Sequence, residues 1–160
     1  MPTKDKSRDP VEQMLKSKNI LERMDAVEIL QRRGDKEKIL ELIYSESWHL
    51  RQKAQEALIS FGESIIEMVR PLLNEKFWYV RSAAINILGE VGDTESFSKI
   101  KTFLKEKNET VRNNAALALI KLLKKDDKLK EQLDKDERIL TENILKNLKE
   151  FELLEVLRTE

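Results

Sequence analysis

Four arginines carry the most conspicuous chemistry in the sequence: Arg23, Arg51, Arg81 and Arg112, separated by 28, 30 and 31 residues. A guanidinium is a planar, permanently charged fork of donors, suited to bridging carboxylates and the carbonyls of turns. Acids stand at a matching interval: Asp35, Glu63 and Asp93 lie twelve residues after Arg23, Arg51 and Arg81, whereas Lys124 holds that place after Arg112. A side chain repeated in every unit answers a need of every unit, so the arginines and these acids are expected to be structural rather than ligand-binding. Trp48 and Trp78 each stand three residues before an arginine, and Tyr79 follows the second. Such rings suit binding surfaces or cation–π contacts, but Ile20 holds the equivalent place in the first unit, which favours packing between units.

Other chemistries lack their residues. His49 is the only histidine and there is no cysteine, which removes thiolate nucleophiles, cysteine-bound zinc and converging imidazoles. A serine–histidine pair would need His49 beside a recognisable nucleophile motif, and the four glycines form no phosphate loop. No catalytic residue, metal or cofactor is assigned, no small-molecule substrate is expected, and the chain reads as a non-enzyme.

The elements that position the arginines repeat as well. Ala, Ile or Leu recur three, six and seven residues beyond each one: Ala26, Ile29 and Leu30; Ala54, Ala57 and Leu58; Ala84, Ile87 and Leu88; Ala115, Ala118 and Leu119. That is one apolar helical face. Gly34, Gly62 and Gly92 follow eleven residues after their arginines, a glycine placed to end a helix cheaply. A second apolar run follows each turn, giving hairpins near 19–43, 47–73, 77–105 and 109–133. Asn19 is expected to cap the first of these helices. Pro71 interrupts a second helix, where a kink or early start is expected. Residues 1–9 have little to bury and are expected to form a mobile tail. Asp9 and Pro10 then start a short capping helix. The fourth copy has Leu123 where glycine is due, and 136–157 reads as a degenerate C-terminal cap. Residues 10–160 thus read as a single repeat domain.

The Val-Arg-x-x-Ala pattern with its Gly-Asp turn, clearest from Trp78 to Asp93, resembles HEAT repeats, especially the short form found in phycobilin-lyase-type proteins. The resemblance spans about Asn19 to Leu123. It implies an all-α, right-handed solenoid of antiparallel hairpins, with second helices lining the concave side and protein binding as the usual work. It further implies a ladder between units, in which Arg112 reaches Asp93 and Arg81 reaches Glu63. HEAT-repeat deoxyhypusine hydroxylases carry paired His-Glu motifs for iron, and this sequence has no His-Glu dipeptide.

Thirty basic residues balance thirty acidic ones, so no global field draws the chain to nucleic acid or membrane. Locally, residues 96–130 carry ten cations against four acids, a basic region of the kind that HEAT-like alkylpurine DNA glycosylases set against DNA. A polar start and the lack of any long apolar run suggest a cytoplasmic protein without membrane spans, and dense Lys and Glu suits a thermophile. The main expectation is a scaffold for a protein partner. Its contact residues are expected at Glu41, Glu67, Met68, Lys101, Lys105 and Lys128, which fall between the apolar positions of the second helices. Nucleic-acid binding through 96–130 is the alternative.

Overall fold

The computed structural model describes residues 9–158, so the expected tail, apart from Asp9, lies outside the described residues. Among them there is no strand. The chain divides into two compact units, Met1–Phe61 and Gly62–Glu160.

In the first unit, Asp9 is the N-cap of helix α1 (Pro10–Leu15). Its carboxylate accepts from the Val11 N–H at 3.1 Å and from Arg33 at 2.8 Å, which ties it to the folded chain. Asn19 caps α2 (Ile20–Arg33) through the Leu21 N–H. The helix ends at Gly34 with φ 73°, where the Asp35 N–H bonds to the Leu30 carbonyl and the Gly34 N–H to that of Gln31. Glycine suits this left-handed position because it has no Cβ to clash. Helix α3 (Lys36–Glu41) tightens into a 3-10 turn at Leu42–Tyr44, and Ser47 caps α4 (Trp48–Ser60). Ala26, Val27, Leu30, Ile39, Ile43, Ala54 and Leu58 are sealed from water and form the core of this unit.

In the second unit the second helices are built from short pieces. A 3-10 turn at Gly62–Ile65 leads to α5 (Ile66–Val69), which passes into a 3-10 segment at Arg70–Asn74. Pro71 occupies the start of that segment, where its missing N–H costs nothing. The next copy repeats the break without any proline: α7 (Phe97–Ile100) passes into 3-10 at Lys101–Lys105. Pro71 therefore fits a break that belongs to the repeat.

The first helices of the two copies, α6 (Trp78–Val91) and α8 (Glu109–Lys125), pack side by side. Their approach is close enough that a Cβ on Gly89 would lie 2.8 Å from the Ala118 Cβ. Helix α6 stops at Gly92 after 14 residues, while α8, with Leu123 at the corresponding place, runs for 17. A 3-10 segment at Asp127–Gln132 leads to α9 (Lys135–Asn147), which begins with a reciprocal capping box between Asp134 and Glu137. Helix α9 ends as α2 and α6 do, but Lys149 takes the left-handed position at φ 61°. Helix α10 (Phe151–Arg158) buries Leu154 and Leu157. Ile139 and Phe151 are exposed, and Glu137, Thr141 and Leu145 supply the buried side of α9.

Candidate partner-binding surface

The chain entering each first helix is extended, so its carbonyls have no helical partner. Three of the four arginines supply one. Arg51 Nη1 donates to the carbonyls of Ser45 and Glu46 at 2.8 and 3.0 Å. Arg81 Nη1 donates to those of Glu75 and Lys76 at 2.9 and 2.8 Å, and Arg112 Nη1 to those of Glu106 and Lys107, both at 2.8 Å. The target is always the carbonyls six and five residues earlier, so each arginine staples the loop before its own helix. Arg23 does not join them: its Nε is buried with no hydrogen-bond partner among the described residues.

The ladder implied for Arg81 and Arg112 is not formed. Lys125 Nζ donates to the Gly92 carbonyl at 2.8 Å and lies 3.9 Å from Glu63, so these turns sit beside the end of α8. Arg112 is thirteen residues earlier in that helix, about 20 Å along its axis. Asp93 is instead gripped by Arg70, Nε to Oδ2 at 2.9 Å and Nη2 to Oδ1 at 2.7 Å, and it also accepts from the Ser96 hydroxyl. Burial of Asp93 (3% exposed) pushes its carboxyl up, but the bonds from Arg70 and Ser96 outweigh that and hold it below the usual carboxylate range. Glu67 and Glu95 complete the surroundings of Arg70 at 3.1 and 3.0 Å. Lys101, at the equivalent start of the next 3-10 segment, donates to the Gln132 carbonyl at 2.6 Å and to Glu137 at 3.3 Å. A ladder between successive copies does exist in this unit, with Arg70 and Lys101 as its rungs. Asp35 stands at the N-cap of α3 without a side-chain cap bond, and Glu63 is exposed.

The residues expected to meet a partner are therefore scattered in role. Lys101 is a rung, and Glu67, although exposed, is drawn to Arg70. Met68 is half-buried on α5, Glu41 is exposed at the end of α3, and Lys105 and Lys128 are exposed in 3-10 segments. An open cleft of about 370 Å³ lies beside the Arg70 cluster, lined by Arg70, Leu73, Asn74, Glu95, Ser96 and Lys99. The basic excess of 96–130 is partly cancelled by acids outside that segment: Lys101 by Glu137, Lys121 by Glu90 and Lys125 by Glu63.

The surface that stands out lies elsewhere. Phe77 and Tyr79 stack with ring centroids 5.4 Å apart, Trp78 meets Tyr79 edge-on at 5.8 Å, and Lys76 Nζ lies 5.1 Å from the centre of the Phe77 ring. Phe77 and Trp78 are each 41% exposed. In the first unit, Trp48 is 60% exposed and meets His49 edge-on at 5.0 Å. The tryptophans therefore do not fill gaps between hairpins. The sequence held a signal for this: three consecutive aromatics advance about 100° each around a helix, so they cannot all face the core. Arg81 fixes the backbone directly before these rings, and Trp, Tyr and Arg are the types enriched at energetic centres of interfaces.

Two further findings bear on identity. No helix among the described residues is long and apolar enough to cross a membrane. A comparison with curated proteins found no match. A family model for HEAT repeats matches residues 66–149, a little over half the chain, and it does not single out the phycobilin-lyase form. Members of that family commonly serve as protein-interaction scaffolds. With paired helices, a recurrent stapling arginine and a family match over most of the second unit, the chain belongs to the HEAT-repeat family, an all-α solenoid class.

Proposed function

We propose that the chain is a non-catalytic scaffold whose helix pairs present a prearranged surface to a protein partner. The observation that carries this reading is the aromatic group at Phe77, Trp78 and Tyr79, the first two exposed and the third half-buried, which follows a loop that Arg81 has already fixed. Large rings whose geometry is set before contact lose little conformational freedom on binding, so more of their burial is realised as affinity. A cytoplasmic setting accords with the lack of cysteine, and a thermophilic source with the density of Lys and Glu. The test is affinity capture from cell extract with the intact chain and with Trp78→Ala. A partner held at moderate salt by the first and lost by the second is expected. Equal capture by both would remove the aromatic group from the interface.

A second reading, nucleic-acid binding, is favoured by the exposed Lys105, Lys107, Lys124 and Lys128. Against it stand the acids that engage Lys101, Lys121 and Lys125. Titration of labelled duplex at rising salt separates the readings: a backbone binder loses affinity steeply, and charge reversal at Lys101 and Lys105 weakens it further. On the scaffold reading no such binding is seen at physiological salt.

A further inference from the structure

Around the aromatic group the two loops of the second unit are joined. Arg81 reaches from the Glu75 and Lys76 carbonyls to the Glu106 carboxylate, and Arg112 holds the Glu106 and Lys107 carbonyls. Asn114 donates to Ser82 across the second turns of α6 and α8 at 2.6 Å, which sets the two helix starts side by side. Lys76 and Lys107, both exposed, thus flank one edge that also carries Phe77 and Trp78.

The electrostatics of this edge lean one way. Its cations are Lys76, Arg81, Lys107 and Arg112, and its acids are Glu75, Glu106 and Glu109. Glu106 is engaged by Arg81 and Glu75 is half-buried, leaving Glu109 as the exposed acid against two exposed lysines. Two helix starts add partial positive charge. The start of α8 is already capped by the Asn108 side chain, but Phe77 offers α6 no side-chain acceptor.

We propose that this edge receives a linear segment of the protein partner in which carboxylates flank a large apolar side chain. The apolar residue lies against Trp78 and Phe77, and the carboxylates face Lys76, Lys107 and the start of α6. This rests on the scaffold reading and adds the chemistry of the partner. A single-stranded nucleic acid would also stack on rings, yet it needs a track of cations along several phosphates, and here Glu109 stands beside only two exposed lysines.

Trp78 can report on its own occupancy. The chain has two tryptophans, so Trp48→Phe leaves Trp78 as the only indole. The probe is a short synthetic peptide with glutamates on either side of a leucine–phenylalanine core. Its controls are the same peptide with lysines for glutamates, and oligothymidylate. The expected result is a saturable blue shift of Trp78 emission with the acidic peptide and none with either control. A Lys76→Glu, Lys107→Glu double variant of unchanged circular dichroism should weaken binding about tenfold or more. No saturable change with the acidic peptide, an equal response to the lysine peptide, or tighter binding of oligothymidylate overturns the proposal. The scaffold reading is tested separately: if extract capture is lost in Trp78→Ala while the acidic peptide does not bind, the scaffold stands and only the acidic chemistry falls.

Discussion

Asp93 shows how a buried charge is accommodated. It is almost fully buried, and its charge is tolerated because Arg70 meets both carboxylate oxygens and Ser96 adds a hydroxyl. Its carboxyl is held below the ordinary range, so its contribution to stability is complete above that range and is lost as pH falls through the lowered value, in a window below about pH 4. Arg70→Ala strands that charge, and unfolding in urea at neutral pH should then require about 2 kcal/mol less. The gap between the two proteins should narrow as the pH falls and Asp93 takes up its proton. An equal gap at pH 7 and pH 3 would show that Arg70 acts through something other than this charge. The resemblance to HEAT repeats implied a ladder from Arg112 to Asp93, whereas Arg70 is the cation that Asp93 meets. Arg70 is not one of the regularly spaced arginines, and the choice between it and Arg112 depends on which ends of the helices meet.

At the level of elements, α6 and α8 approach each other closely at Gly89 and Ala118. Glycine inside a helix ordinarily costs about 0.5–1 kcal/mol relative to alanine, so Gly89→Ala would be stabilising if the helix stood alone. Here the added methyl would lie 2.8 Å from the Ala118 Cβ, and Gly89→Ala should be destabilised by about 1–2 kcal/mol. Thermal unfolding measures this, and adding Ala118→Gly should restore part of the loss. A higher melting temperature in the single variant would mean that the helices can separate at little cost. The first helices were largely legible in the sequence, since the cap at Asn19 and the stops at Gly34 and Gly92 rest on local chemistry. The second helices were legible only as apolar runs. Their passage into 3-10 geometry at Arg70 and at Lys101 leaves the apolar spacing nearly unchanged, and one of the two breaks has no proline to announce it.

For the molecule as a whole, burial is uneven along the chain. Helices α6 and α8 each contribute eight buried residues, whereas α1 contributes Val11 alone and α10 contributes Leu154 and Leu157. Hydrogen exchange followed by mass spectrometry should therefore find the slowest amides in α6 and α8 and the fastest helical amides in α1 and α10. Rapid exchange in α8 would contradict the packing described. The division between Phe61 and Gly62 was not legible, because the repeat signal runs through it unbroken and contact density leaves no mark on spacing. The aromatic edge was half legible: Trp78 and Tyr79 stand out by their place before Arg81, but exposure of the edge depends on how the loop enters α6. The stapling arginines have a consequence for how such a chain can change over time. Since Arg51, Arg81 and Arg112 each fasten the loop directly before their own helix, each of these three copies travels with its own clasp. Gene duplication that adds or drops a whole hairpin leaves those clasps closed, whereas inserting even one residue between a loop and its arginine springs one open, so length is free to drift in whole hairpins and not in single residues.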